Sequence, residues 1–283
     1  MNWFDAVKAQ IKTAHRNGGL APIRTKIHCT PDNGINYVVR QIEGLAAKPQ
    51  SQDEKTTDPF APPYEPSLYV GDLAPLHVGL LNKFPVLDTH LLIVTREFEP
   101  QTGILHAKDF EALLRVLADW NGLAFYNGGP EAGASQPHRH LQMVDLPLAP
   151  ESPYLPIADA LSATAFDGDI GQSPSLDFPH AIARMPANAL VEPRAGSRAV
   201  EIIYHKLLDG IGRRPNGRTQ SGAYNLLVTR DWLWAVPRSM PRVQTIEINA
   251  LGFAGGLLVA NDQQLSQLQS IGPAQCLRAV CGF

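Results

Sequence analysis

Three short apolar segments near the middle of the chain place the strongest constraint on its fold. They are residues 68–73 (LYVGDL), 77–81 (HVGLL) and 90–95 (HLLIVT), and they are separated by stretches with turn-forming residues. Short strands punctuated in this way favour an antiparallel meander. Residues 107–119 (AKDFEALLRVLAD) then place apolar side chains at helical spacing, which predicts an amphipathic helix.

Strands and helices alternate along the chain without a regular βαβ rhythm, so the fold class is predicted to be α+β. We expect an antiparallel sheet flanked by helices, with a C-terminal α/β extension packed on it. Residues 1–149 are expected to form the region that carries the chemistry. The many prolines of residues 150–195 predict a long connection, and residues 196–283 form a C-terminal region.

The charge and cysteine content exclude several classes of protein. A formal net charge of -3 over 283 residues argues against a partner such as nucleic acid or a membrane surface. Cys29, Cys276 and Cys281 show no paired spacing, which argues against a disulfide framework or a cysteine-rich metal site. Because the chain has neither an apolar signal core nor a run of about 20 apolar residues, we expect a cytoplasmic protein.

One polar pattern interrupts a predicted strand in the run QPHRHLQMVDL. Side chains alternate between the two faces of a strand, so His138, His140 and Gln142 point the same way. Two imidazoles and an amide on one face are unusual for a core strand, which places apolar side chains there. The pattern therefore predicts a functional surface.

A loop rich in glycine precedes this strand and contains Gly128, Gly129, Gly133 and Ser135. Backbone N–H groups in such a loop can approach anionic oxygens closely and cradle a phosphate. A neutral imidazole, with an ordinary pKa of about 6.5, can attack phosphorus at pH 7. The resulting phosphoramidate can pass its group to a second acceptor, which predicts covalent nucleotidyl transfer.

A metal site is the main alternative interpretation of the same residues. Imidazoles at positions i and i+2 of a strand can share a zinc ion, for which His90 or His28 would supply a third ligand. Glycine-rich loops, in turn, are usually ordinary turns. The combination of the loop with the polar strand favours phosphate chemistry, because the two features together are rarer by chance than either alone.

The pattern His138-x-His140-x-Gln142 resembles the signature of the diadenosine tetraphosphate (Ap4A) phosphorylases, or ATP adenylyltransferases, and of the related galactose-1-phosphate uridylyltransferases in the histidine-triad superfamily. Hydrolases of that superfamily usually have a third histidine at the position of Gln142, so the resemblance implies transfer rather than hydrolysis. The similarity also covers other stretches: residues 58–63 (DPFAPP), 80–101, 126–142, 224–239 and 249–259. It implies that residues 1–149 are the histidine-triad-like catalytic region and that residues 196–283 are an ATP adenylyltransferase-type region.

The resemblance implies specific catalytic roles. His140 is expected to be the nucleophile, His138 to orient the site and Gln142 to donate hydrogen bonds to the phosphoryl oxygens. The residues expected to bind nucleotide or phosphate are Asn82, Lys83, Asn127, Gly133, Ser135 and Gln142, with Lys48 reaching the polyphosphate tail. His90 and Arg238 are expected as neighbours of the site, where Arg238 could hold a distal phosphate through its planar fork.

The implied reaction is attack of His140 on an α-phosphorus of Ap4A, departure of ATP, and release of ADP when phosphate attacks the adenylyl-histidine. No obligatory cofactor and no dedicated metal site are expected, and Mg²⁺ would accompany the polyphosphate. The alternatives are a hexose-1-phosphate uridylyltransferase, a dinucleoside polyphosphate hydrolase and a non-catalytic nucleotide sensor. A monomer is expected, because the C-terminal region is long enough to complete the fold within one chain.

Overall fold

Six α-helices, two short 3-10 helices (Pro130–Ala132 and Ala250–Ala254) and fifteen strands are found in the computed structural model, which describes residues 2–44, 58–150, 152, 154–215 and 217–283. The helices are α1 (Trp3–Arg16), α2 (Ala107–Asp119), α3 (Ala158–Ser162), α4 (Pro193–Gly210), α5 (Asp262–Ile271) and α6 (Pro273–Val280). Their ends follow ordinary capping chemistry: the Asn2 side chain accepts a hydrogen bond from the backbone N–H of Asp5 at the start of α1. Pro193 and Pro273 begin α4 and α6, where a missing N–H costs nothing.

The strands form one large sheet and two small ones. The strands are β1 (Thr25–Asp32), β2 (Ile35–Ile42), β3 (Tyr69–Ala74), β4 (His77–Leu81), β5 (His90–Thr95), β6 (Leu123–Gly128), β7 (His140–Val144), β8 (Ala165–Asp167), β9 (Ile170–Gln172), β10 (Ala181–Arg184), β11 (Tyr224–Val228), β12 (Trp232–Pro237), β13 (Arg242–Val243), β14 (Ile246–Glu247) and β15 (Gly256–Val259). The large sheet has ten strands in the order β3-β4-β5-β7-β6-β11-β12-β10-β9-β8, and all neighbours are antiparallel. The small sheets are β1-β2-β15 and β13-β14.

The large sheet consists of two halves with the same order of elements. The sequence β3-β4-β5-α2-β6-β7 builds the first half, and β8-β9-β10-α4-β11-β12 builds the second. The halves meet where β6 pairs with β11, with Tyr126 opposite Leu226. The C-terminal part of the chain therefore supplies half of the central sheet. Residues 150–195 contain α3 and contribute the three short strands β8–β10 to that sheet.

Apolar side chains cover the two faces of the large sheet differently. On one face, Ile93 and Leu141 are buried in the same cluster as residues of α2 and α4. On the other face, Phe125 belongs to a cluster with β2, β15, α5 and α6, whereas Leu92 belongs to a separate cluster with Phe60. The polar residues of β5 and β7 lie on this second face, between the two clusters.

The α+β class and the antiparallel sheet flanked by helices are confirmed, as is the meander of β3, β4 and β5. The helix predicted at residues 107–119 has those bounds in the structure. Strand β7 begins at His140, later than the predicted strand, because His138 makes only an isolated bridge with Pro100. Within the described parts of the chain, no helix is both long and apolar enough to cross a membrane.

Candidate active site

The polar side chains predicted from the strand pattern do share one face of the sheet. The Phe60 ring lies 5.0 Å from the His140 ring and 6.0 Å from the His138 ring, centroid to centroid. Arg139, between them in sequence, points to the opposite face, where it forms ion pairs with Glu99 and Asp109. The alternation expected of a strand is therefore kept from residue 138 to residue 140, although only His140 belongs to β7.

The hydrogen bonds of His140 determine which of its nitrogens can react. Its Nδ1 lies 2.8 Å from the backbone oxygen of His138, which can only accept, so Nδ1 carries the proton. Nε2 makes no hydrogen bond within the described residues and keeps its lone pair. Burial lowers the pKa of His140 to about 4, so the ring is neutral at pH 7. The His140 side chain is 2% exposed, and its unprotonated nitrogen has the lone pair that a nucleophile needs.

A chain of hydrogen bonds sets the orientation of Gln142. The backbone N–H of Phe84 donates to Asn82 Oδ1, which turns the Asn82 amide towards His90. Asn82 Nδ2 then donates to His90 Nδ1 at 3.1 Å, so His90 Nε2 carries the ring proton and donates to Gln142 Oε1 at 2.9 Å. The Gln142 amide nitrogen, with its two N–H groups, therefore points away from His90 and has no partner within the described residues.

Burial also lowers the pKa of His90 to about 4, which keeps this ring neutral. The hydrogen bonds require a neutral His90 ring, because Nδ1 must accept from Asn82 while Nε2 donates to Gln142. The ring also contacts Phe125, 6.1 Å away between centroids. His90 thus fixes the orientation of the Gln142 amide from the neighbouring strand β5.

Two acceptors hold His138. Its Nδ1 lies 2.6 Å from Asp58 Oδ2, and its Nε2 lies 2.7 Å from the backbone oxygen of Thr95. Asp58 also accepts from the backbone N–H of Phe60, and the Phe60 ring contacts His140. His138 therefore ties the segment that begins at Asp58 to the sheet, directly beside His140.

The glycine-rich loop connects β6 with β7 and adopts backbone conformations that favour glycine. Gly129 and Gly133 have φ values of +105° and +89°. A Cβ atom at Gly133 would lie 3.0 Å from both the backbone oxygen of Ile248 and Cβ of Asn249, so the C-terminal region abuts the loop. Ser135 is exposed and its hydroxyl makes no hydrogen bond within the described residues, which leaves it available to a ligand.

Asn127 lies at the end of β6, in a buried polar cluster rather than on an open surface. Its Oδ1 accepts hydrogen bonds from Asn225 Nδ2 at 2.9 Å and from the backbone N–H of Ala250 at 3.0 Å. Asn225 Nδ2 also donates to the backbone oxygen of Ala132 in the loop. The cluster therefore connects the loop to β11 and to the C-terminal region.

Arg238 is 1% exposed and belongs to this cluster. Its guanidinium donates to Asn225 Oδ1 at 2.6 Å and to the backbone oxygens of Ala132, Met240 and Ile248. All four acceptors are neutral, and burial lowers the pKa of Arg238 to about 10. Arg238 thus lies next to the glycine-rich loop on its interior side, and both terminal nitrogens of its guanidinium are hydrogen-bonded to protein groups.

The remaining predicted residues have separate locations. Lys83 is half-exposed, adjoins Asn82 in sequence and forms an ion pair with Glu65 at 3.3 Å. Lys48 lies outside the described residues. His28 lies on β1, where its ring bonds the side chain of Gln41. Among the described residues, no three His, Cys, Asp or Glu side chains are grouped so that they could hold a metal ion.

The structure adds residues that the polar pattern alone does not identify. Asp58 and Thr95 hold His138, and the amide of Gln101 contacts the backbone of His140. Asp58 and Gln101 lie within the stretches 58–63 and 80–101, so the similarity of those stretches was the available signal. Asn225 follows a tyrosine, as Asn127 does, but only the pairing of β6 with β11 brings the two asparagines together.

Comparison with known proteins identifies the family of the chain. Residues 2–163 match the family model of the Ap4A phosphorylase N-terminal domain, and residues 174–282 match that of the ATP adenylyltransferase C-terminal domain. Diadenosine 5',5'''-P1,P4-tetraphosphate phosphorylase 2 of Saccharomyces cerevisiae is 30% identical, over 84% of this chain and 80% of that protein. Protein APA1 of the same yeast is 27% identical, over 93% of this chain and 88% of that protein.

Solved structures show the same relationship. The crystal structure of yeast Ap4A phosphorylase Apa2 superimposes with a TM-score of 0.77 and 26% identity, covering 98% of this chain and 93% of that chain. The complex of Apa2 with Ap4A gives a TM-score of 0.75 at 26% identity, covering 98% of this chain and 96% of that chain. With both domain models matched in order along almost the whole length, the chain belongs to the family of Ap4A phosphorylases and ATP adenylyltransferases.

Proposed function

We propose that this protein catalyses the reversible phosphorolysis of Ap4A to ATP and ADP through a covalent adenylyl-histidine. The observation that carries the proposal is the state of His140: Nδ1 is bound to the His138 oxygen, while Nε2 is unprotonated and makes no hydrogen bond within the described residues. A neutral imidazole with a free lone pair beside a phosphate-binding loop is what attack on an α-phosphorus requires. The yeast relatives that bear the name of this activity support the choice of substrate.

In the first step, the Nε2 lone pair of His140 forms a bond to the α-phosphorus. The bond from that phosphorus to its bridging oxygen breaks, and ATP leaves with the electron pair. The ring then carries a positive charge, which strengthens the hydrogen bond from Nδ1 to the His138 oxygen. That backbone oxygen therefore favours the transition state over the ground state, which is the requirement for catalysis.

In the second step, an oxygen of inorganic phosphate attacks the same phosphorus. The bond between phosphorus and Nε2 breaks, ADP forms, and the ring regains its lone pair. The amide N–H groups of Gln142, held in place by His90, bind the α-phosphoryl oxygens in both steps. The loop around Gly133 and Ser135 supplies further donors to the same phosphate.

Labelling of the covalent intermediate tests the proposal most directly. Incubation with Ap4A carrying labelled α-phosphates, without inorganic phosphate, is expected to yield a labelled protein whose bond is acid-labile and base-stable. His140→Asn is expected to lose the label, whereas His15→Asn, at an exposed position in α1, keeps it. Labelling of the His140→Asn variant to the wild-type level would refute the assignment of the nucleophile.

Product analysis then identifies the acceptor. With inorganic phosphate, we expect ATP and ADP in equal amounts on ion-exchange chromatography. Formation of AMP and ATP in the absence of phosphate would instead identify a hydrolase. Absence of any turnover of Ap4A would refute this substrate and direct attention to sugar nucleotides.

We also propose that the protein acts as a monomer. One chain supplies both β6 and β11, so both halves of the large sheet are joined within the molecule. Light scattering after size exclusion is expected to give the mass of one chain. A dimer mass at micromolar concentration would contradict the proposal.

A further inference from the structure

The pairing between β6 and β7 stops just before the nucleophile. Its last pair is Phe125 with Gln142, although β7 continues to His140 and β6 continues to Gly128. On its other side, His140 is still paired with Val94 of β5. One edge of the His140 backbone is therefore left without a strand partner at the position where the phosphate loop begins.

The side chain of Gln101 occupies this gap. Gln101 Oε1 accepts from the backbone N–H of His140 at 2.8 Å, while Gln101 Nε2 donates to the backbone oxygen of His140 at 3.1 Å. The same Nε2 donates to the backbone oxygen of Asn127 at 2.9 Å. One primary amide thus takes the place of a strand backbone between the nucleophile and the start of the loop.

Gln101 is itself fixed in place. It is 2% exposed, its backbone N–H donates to the Pro137 oxygen at 2.7 Å, and its backbone oxygen accepts from the Tyr126 hydroxyl. Pro137 directly precedes His138, so Gln101 touches the chain on both sides of the loop. Every hydrogen-bonding group of Gln101 is used, and all its partners belong to the loop or to its two flanking strands.

We propose that Gln101 is a positioning residue that sets the distance between the His140 imidazole and the phosphate loop. The inference rests on the proposed function, because that distance matters only if Nε2 attacks a phosphate held by the loop. Displacement of a reacting group by about 1 Å can lower a rate on the order of 10²-fold. Gln101 is buried, and among the described residues its side chain bonds only backbone groups, so its loss is expected to change the rate and not nucleotide affinity.

Two substitutions separate positioning from general destabilisation. Gln101→Leu keeps the approximate size of the side chain and removes all three side-chain hydrogen bonds. Gln101→Glu retains the shape, and its introduced carboxyl can both accept and donate only while protonated. Leu207→Ala, in the core behind the opposite face of the sheet, is the control for loss of stability alone.

The measurement is single-turnover formation of the adenylyl-protein from Ap4A between pH 5 and pH 8, each rate divided by the wild-type rate at the same pH. For Gln101→Leu, we expect a maximal rate lowered on the order of 10²-fold with half-saturation within about threefold of wild type. For Gln101→Glu at pH 5, where burial favours the protonated carboxyl, we expect a rate at least about tenfold above that of Gln101→Leu. Leu207→Ala is expected to stay within about threefold of wild type, because only the core is changed.

A Gln101→Leu rate equal to that of Leu207→Ala would overturn the inference, as would a Gln101→Glu rate at pH 5 no higher than that of Gln101→Leu. If Gln101→Leu does not fold, as judged by circular dichroism, the comparison of Gln101→Glu with wild type decides. In that case, a relative rate below one-tenth at pH 5 overturns the inference. A wild-type protein that forms no adenylyl-protein would overturn the proposed function and this inference with it, whereas an active wild type makes the two failures distinguishable.

Discussion

His90 and Gln142 lie on adjacent strands, with His90 Nε2 2.9 Å from Gln142 Oε1. This contact holds the oxygen of the Gln142 amide against His90, so the amide nitrogen is directed away from His90. Without the His90 contact, the Gln142 amide can rotate and direct its oxygen towards a bound phosphate. The amide oxygen would then repel the phosphate oxygens instead of donating hydrogen bonds to them. His90 is therefore a candidate positioning residue, which would fix the orientation of the Gln142 amide without itself contacting the substrate.

His90→Phe is therefore expected to lower kcat about tenfold, less than the 10²–10³ typical of deleting a stabilising donor outright. Gln142→Ala is expected to reach that larger loss. In the double variant, His90→Phe should cause no further loss, because its effect passes through Gln142. Steady-state kinetics of the two single variants and the double variant test this, and additive losses would contradict it.

The pH dependence of adenylyl transfer follows from the neutral histidines. The pKa values of His140 and His90 are lowered by burial to about 4, so neither ring takes up a proton between pH 8 and pH 5. We expect the single-turnover rate to be flat over that range. A histidine with the ordinary pKa of about 6.5 would instead lose activity about 30-fold by pH 5. Such a loss in the folded protein would contradict the assignment.

Unlike the rate, the stability of the folded protein is expected to change with pH. In the unfolded chain both histidines have pKa values near about 6.5, whereas in the folded chain the pKa values are about 4. As the pH falls through this window, protons bind the unfolded chain first, so the free energy of unfolding decreases. Urea unfolding at pH 7 and pH 5 measures the change. A midpoint that rises at pH 5 would contradict the prediction.

The contact between Asp58 and His138 predicts a difference between two aspartates. Asp58→Asn removes a charged acceptor of a buried imidazole. The substitution is expected to lower the free energy of unfolding by on the order of 1.5–3 kcal/mol and to reduce turnover. Asp177→Asn breaks only the exposed ion pair with Arg278 and should cost less than about 1 kcal/mol. Thermal unfolding and turnover of both variants test this. Equal effects on turnover would show that Asp58 has no role at the site.

Gly133→Ala combines an unfavourable φ with a close approach. Its φ is +89°, and the added Cβ would lie 3.0 Å from the backbone oxygen of Ile248. Gly168→Ala, with φ +63° and open space around its Cβ, imposes backbone strain alone, away from the site. We expect both substitutions to lower the free energy of unfolding by about 1 kcal/mol or more, and Gly133→Ala to lower it further. Gly133→Ala is also expected to lower kcat at least about tenfold. Retention of full kcat in Gly133→Ala would show that the loop does not bind the reacting phosphate.

The sequence was sufficient for features that repeat locally. The alternation through His138, His140 and Gln142 predicted a shared face, and helical spacing predicted α2 with its correct bounds. The strands β8, β9 and β10 have three or four residues each, too few for a period of two to be recognised. The contact of Gln101 with His140 crosses 39 positions in sequence and depends on where β6 leaves β7, which no local pattern encodes.

The pairing of β6 with β11 has a consequence for the order in which the protein can fold during synthesis. Tyr126 and Leu226 face each other across that pair, so the middle of the sheet closes only after translation has advanced 100 codons beyond β6. At about 5–20 residues per second, this interval lasts on the order of ten seconds. During it, β6, whose six residues are all buried in the native fold, has an open edge on the growing chain. Until the second half of the chain has been synthesised, this edge of β6 is therefore open to pairing with a strand of another molecule.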